Sequence, residues 1–90
     1  MDKETFGFGE ALKKLEEGKR VCRTGWNGKG MYLRNVPNGH WGLDRDMFSD
    51  IEENNIELLP WIGMKTADNK FVPWLASQTD VKAKDWMIAE

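Results

Sequence analysis

The sequence predicts an α+β fold: an N-terminal helix packed on a mostly antiparallel β-sheet, with a short second helix near the C-terminus. Three observations carry this. The N-terminal segment spaces its apolar residues with a helical period. The middle and C-terminal segments alternate with period two between turn residues. A Ser-x-x-Asp capping pattern then follows the last hairpin. Ninety residues leave no room for a second core, so one domain spanning 1–90 is expected.

In "FGEALKKLEEGKR", Phe8, Ala11, Leu12 and Leu15 fall at i, i+3, i+4 and i+7 and form one apolar stripe. Lys13, Lys14, Glu16 and Glu17 take the wet side, and Gly18 is the expected C-terminal stop. "KRVCRT" reads as a short strand, with Val21 and Arg23 alternating against Cys22 and Thr24. "GMYLRNVP" is a second strand, with Met31 and Leu33 on one face and Tyr32 and Arg34 on the other. Pro37-Asn38-Gly39 is turn chemistry. The mixed, polar stretch 40–55 reads as a loop with one helical turn. "IELLPWIGMKTADNKFVPWLA" is a hairpin in which Asp68-Asn69 occupies the two central turn positions, because both residues tolerate positive φ. That register pairs Thr66 with Phe71, Lys65 with Val72 and Gly63 with Trp74, laying an indole over the glycine. Pro60 and Pro73 lack an amide donor and belong at an edge, a bulge or a strand end. Ser77 is then an N-cap with Asp80 three residues on, and "DWMIA" closes as the last strand.

Composition excludes several functions. Thirteen Lys plus Arg stand against fifteen Asp plus Glu, net -2, with the basic residues scattered, so the summed positive field that polymeric nucleic acid requires is missing. No apolar run approaches the roughly 20 residues of a membrane span. A lone Cys22 and a lone His40 rule out an internal disulfide and a site of paired Cys or His ligands, and suit a reducing cytoplasm. No cofactor, metal or catalytic group is expected: P-loop, nucleophile-elbow and H-E-x-x-H patterns are missing. The acidic pairs Asp44/Asp46 and Glu52/Glu53 read as solvated surface. Five Trp and four Phe, however, exceed what a core of this size easily hides.

Two motifs fit a small anionic ligand. In "GWNGKG", the glycines at 25, 28 and 30 let backbone amides turn inward, Trp26 offers a flat face for a base, Asn27 can read a base edge or ribose hydroxyl, and Lys29 supplies charge. Gly28 and Met31 complete that segment. The same residues also fit a plain hairpin turn with Asn27-Gly28 at the bend and Trp26 over the core. The second motif, "MKTADNKFVPWLASQTD", contributes Lys65, Thr66, Trp74, Ser77, Gln78, Thr79 and Asp80. For Asp80 helix capping comes first, with a hydrogen bond to ribose or adenine second, since its carboxylate repels an anion at the same helix end. Trp61 and Trp86 are assigned to the core or to a subunit contact.

With these motifs the chain resembles the second type of Thoeris anti-defence protein of phages. The likeness runs through "FGEALKKLEEGKRVCR", "GWNGKGMYL" and "LPWIGMKTADNKFVPWLASQTDVKAKDW", nearly the whole chain, and is least distinctive over 38–55. Asn69 stands where the family pattern has glycine. The resemblance implies a sponge in the cytoplasm of the infected host, one that binds a cyclic ADP-ribose isomer (glycocyclic ADP-ribose) made by the defence sensor without cleaving it. It further implies a homotetramer with ligand sites between subunits, and cyclic dinucleotides as ligands of some relatives. The two motifs are compatible with that ligand: aromatic faces for adenine, amides and lysines for pyrophosphate, and Asn, Thr, Ser and Asp for ribose. Nanomolar capture corresponds to about 12 kcal/mol and requires burying most of the ligand, which a pocket between chains would supply. On this reading Trp26→Ala abolishes capture and leaves the fold intact. The rival readings are hydrolysis of the signal through Asp80 and Lys65, and an interaction module that binds no nucleotide.

Overall fold

A computed structural model describes residues 4–38, 41–44 and 46–89, with the Asn27 side chain also outside the description. Gly39 of the predicted turn and His40 lie outside the described residues. Helix α1 (Phe8–Glu16) is followed by β1 (Val21–Arg23), a 3₁₀-helix η1 (Thr24–Lys29) and β2 (Tyr32–Val36). Then come α2 (Ser49–Glu53), β3 (Trp61–Lys65), β4 (Phe71–Pro73), α3 (Gln78–Lys82) and β5 (Trp86–Ile88). The five strands form one sheet in the order β4-β3-β2-β1-β5, every neighbouring pair antiparallel. The α+β expectation is met: α1 lies on this sheet, and the short α3 precedes the last strand.

The apolar stripe of α1 determines which sheet face it covers. Ala11 and Leu15 are buried with Val21, Leu33 and Trp86, while Phe8, Leu12, Ile62 and Met64 pack around them. Alternation along the strands puts Cys22, Met87 and Tyr32 on the opposite face, where Cys22, Met87 and Ala89 form a second buried group. Arg20 stacks over the Tyr32 ring at 4.8 Å. Gly18 ends α1 with φ 88, a conformation that carries a steric cost for any residue with a Cβ.

The β3–β4 hairpin departs from the expected register. Lys65 pairs with Phe71, Met64 with Val72 and Gly63 with Pro73, a shift of one residue. The loop holds three residues rather than two: the Asn69 amide donates to the Thr66 carbonyl at 3.0 Å, Asn69 has φ 67, and the Thr66 amide donates to the Lys70 carbonyl at 2.7 Å. This is a type I turn followed by one left-handed residue, which suits the right-handed strand twist better than a two-residue type I turn. Thr66 closes it by donating its hydroxyl to Asp68 and accepting the Lys70 amide at 2.9 Å. Asn69 thus supplies the left-handed residue that the turn requires. Because of the slip, Phe71 rather than Trp74 lies over Gly63: a Cβ there would stand 2.5 Å from Phe71 Cε2 and 3.0 Å from Trp61 Cζ3. Among its described residues, the stretch 40–55 contains one short helix, as expected.

Candidate functional site

The segment "RTGWNGKGM" is built as a 3₁₀ turn between two strands, not as a two-residue hairpin bend. Of the glycines at 25, 28 and 30, only Gly30 adopts positive φ, at 70. The expected run of inward-turned amides therefore reduces to one left-handed residue at the end of η1. The Lys65 ammonium donates to the Gly30 carbonyl at 3.1 Å, fastening that end to β3. The other end is fastened by Thr24, whose amide and hydroxyl both donate to the Asp85 carbonyl, at 3.0 and 2.9 Å.

Between these anchors Trp26 turns inward. Its ring meets Trp86 at 5.4 Å and Trp74 at 6.5 Å, both edge-on, and Trp74 meets Trp86 at 6.0 Å. Phe8 extends the group, 5.5 Å from Trp86 and 6.1 Å from Trp74. Perpendicular rings at these separations use the attraction between the positive edge of one and the negative face of the next. Trp86 is fully buried and donates its indole N–H to the Asp80 carbonyl at 2.9 Å, so it belongs to the core. Trp26 and Trp74 are half-buried, each leaving part of its surface accessible. Of the two roles considered for Trp26, core cover is the one its packing shows. Its contact with the buried groups corrects the expectation that Trp26→Ala leaves the fold untouched.

The second motif joins the first through Arg23. Its Nε donates to Asp85 at 3.0 Å and its Nη1 to Asp80 at 3.1 Å. Asp80 is also half of a capping box: it accepts the Ser77 amide at 3.2 Å and the Ser77 hydroxyl at 2.9 Å, while its own amide donates to Ser77 Oγ at 3.1 Å. Capping, the first reading of Asp80, is what the fold uses. Partial burial would raise its carboxyl, but the bonds from Ser77 and Arg23 prevail and hold it below the usual carboxylate range. The Asp85 hydrogen bond in turn raises the Arg23 guanidinium, against the opposing effect of burial and with further help from Asp80.

Two tethers link the motifs: Lys65 to the η1 end, and Asp80 through Arg23 to the η1 start. Trp26 and Trp74 touch directly. Gly28 and Lys29 on η1, and Ser77, Gln78 and Thr79 at the start of α3, are exposed; Met31 is half-buried. Asn27 shares η1, with its side chain outside the described residues. Thr66 is part of the hairpin turn. A cavity of about 380 Å³ lies elsewhere, walled by Phe48, Ile51, Ile56 and Leu58 and bordered by Asp44 and Glu52; neither motif lines it. Sequence reasoning missed Arg23 and Asp85. A signal was available: alternation put Arg23 on the face of Val21, which is the core side, and a cation there calls for carboxylate partners.

Among the described residues no group of three or more His, Cys, Asp or Glu could hold a metal ion, and no helix is long and apolar enough to cross a membrane. A family model, the Thoeris anti-defense 2-like domain, matches residues 6–89. Thoeris anti-defense 2 of Bacillus phage SP01 is 42% identical over 86 residues, covering 96% of this chain and 97% of that protein. The match takes in α1, both tethered motifs and the closing strand, and the chain accordingly belongs to the Thoeris anti-defense 2-like family.

Proposed function

We propose that this protein counters Thoeris immunity by sequestering a cyclic ADP-ribose isomer, glycocyclic ADP-ribose, without cleaving it, in a pocket completed by a second copy of the chain. The observation that carries this reading is the pair of half-buried indoles, Trp26 and Trp74, beside exposed amide, hydroxyl and ammonium groups of η1 and α3. Such rings suit adenine, and Lys29 with the polar side chains suits pyrophosphate and ribose. The two groups that a hydrolase reading needs, Asp80 and Lys65, are held by Ser77 and Arg23 and by Gly30, which favours holding over chemistry.

Shape supports assembly with further copies. The chain exposes 6611 Å², against roughly 5,400 Å² for a compact monomer of its mass. Its radius of gyration is 15.2 Å, against about 12 Å expected, and it extends 51 × 27 × 23 Å. The excess exceeds the roughly 800 Å² per partner of a standard interface. Away from α1, Trp61 has ring contacts with Trp41 and with Phe71, the first residue of the edge strand β4, whose three residues are all exposed. A second copy is the occupant with matching chemistry: an isologous contact through this face makes a dimer, and two such dimers joined through another face make a homotetramer. Native mass spectrometry of protein made in signal-producing cells tests both halves of the reading. The expected species is a multimer, a tetramer foremost, that releases a nucleotide of unaltered mass on denaturation. A ligand-free monomer would refute capture, release of a cleaved product would support the hydrolase, and a cyclic dinucleotide would redirect the ligand assignment.

A further inference from the structure

We propose that Arg23 is the positioning residue that makes the two motifs one ligand-binding unit, an inference that rests on the sponge reading above. Arg23 is the last residue of β1, one position before η1 begins. Its guanidinium reaches two carboxylates that belong to different elements: Asp80 inside α3 at 3.1 Å, and Asp85 ahead of β5 at 3.0 Å. Each carboxylate residue is then tied to a ring or a loop of the site. Asp80 accepts Ser77 through its side chain and the Trp86 indole through its carbonyl; Asp85 accepts both donors of Thr24, the first residue of η1. Rotation of the Arg23 side chain would remove the side-chain bridge between α3 and the end of β1, leaving the Trp86 indole bond and the Thr24 bonds to Asp85 as the remaining links. Trp26, two residues into η1, has its ring edge-on to Trp86 and Trp74 on the far side of the same circuit.

Arginine is suited to this task where lysine is not. A planar guanidinium presents several N–H groups in fixed directions and can hold two carboxylates at once, whereas an ammonium is a point charge on a flexible stem. The Asp80 arm of the bridge is partly shielded, with the Arg23 side chain 25% exposed and that of Asp80 15%, whereas the Asp85 arm, with its carboxylate side chain 41% exposed, is more open to solvent screening. Charge matters as well. Asp80 lies in the first turn of α3 beside Ser77, Gln78 and Thr79, where a bare carboxylate would repel a pyrophosphate. The adjacent guanidinium offsets that charge. Arg23 thus serves the ligand without touching it, by fixing the spacing of Trp26 from the α3 side chains and by quenching the carboxylate next to them.

The test is titration of glycocyclic ADP-ribose into wild type, Arg23→Lys, Arg23→Gln and a stability control, Ala11→Gly, which weakens α1 and removes no bond of the bridge. All titrations are run well below each melting temperature. Losing one or both charge-assisted hydrogen bonds should weaken binding by about tenfold or more in both Arg23 variants. Near-UV circular dichroism of the tryptophan group should change while far-UV spectra stay the same, and Ala11→Gly should bind like wild type. Wild-type affinity in folded Arg23→Lys and Arg23→Gln overturns the proposal, as does an equal loss in Ala11→Gly, which would make the effect one of general stability. If Arg23→Gln does not fold, Arg23→Lys and Asp85→Asn, which each spare part of the bridge, carry the same comparison. A wild type that takes up no glycocyclic ADP-ribose would instead strike down the sponge reading, and this inference with it.

Discussion

Replacing Trp26 with alanine separates core from platform, because the two roles make different thermal predictions. The ring makes edge-on contacts with Trp86 at 5.4 Å and Trp74 at 6.5 Å. Aromatic pairs of this geometry contribute about 0.5–1.5 kcal/mol each beyond area burial, hence about 1–3 kcal/mol for both. Full burial of such a side chain would raise the truncation cost to about 3–5 kcal/mol; half-burial places Trp26→Ala at about 2–4 kcal/mol. For a domain of this size each kcal/mol shifts Tm by roughly 4–8 °C, so the variant should melt roughly 8–32 °C below wild type in ligand-free calorimetry. Trp26→Phe keeps one ring and should recover about half of the loss. If Trp26→Ala melted within about 3 °C of wild type, the ring would not be wedged between Trp74 and Trp86 and the packing argument would fail. Ligand affinity in Trp26→Phe, rather than in the alanine variant, is then the fair measure of the platform role.

The hairpin and the acid limb supply two more tests. Asn69 holds φ 67, so Asn69→Ala should lower stability by about 1–2 kcal/mol in chemical denaturation, whereas Asn69→Gly should match wild type or exceed it. A cost for glycine equal to that for alanine would show that the Asn side chain, not its backbone, matters there. The Asp80 carboxyl is held below its usual range, so its contribution to stability is fully present above the unfolded value near about 3.9 and is lost as pH falls through the lower folded value. Thermal melts between neutral pH and about pH 3 should therefore decline, and Arg23→Gln should flatten that decline because one of the depressing contacts is gone. An identical acid limb in the two proteins would show that Arg23 does not act on Asp80.

Local chemistry alone determined much of this protein. The period of Phe8, Ala11, Leu12 and Leu15 specified α1 and the face it buries, Gly18 its stop, and Ser77 with Asp80 the start of α3, because each depends on residues within one or two helical turns. The motif "RTGWNGKGMYL" and the "SQTD" segment, together with the α1 and hairpin segments, were legible as family. What a local reading could not supply was distance. The one-residue slip of β3 against β4 turns on whether Asn69 takes the left-handed position alone, which the Thr66 contacts to Asp68 and Lys70 decide together with strand twist. The conversion of "TGWNGK" into a 3₁₀ turn depends on anchors 35 residues away at Lys65 and 61 away at Asp85. Arg23 looked like one strand cation among several until the fold set two acids, 57 and 62 residues downstream, against its guanidinium. Periodicity and capping act through nearest neighbours along the chain, so they can be read in order; tethers between remote side chains exist only once the sheet has brought β1, β3 and β5 into one layer.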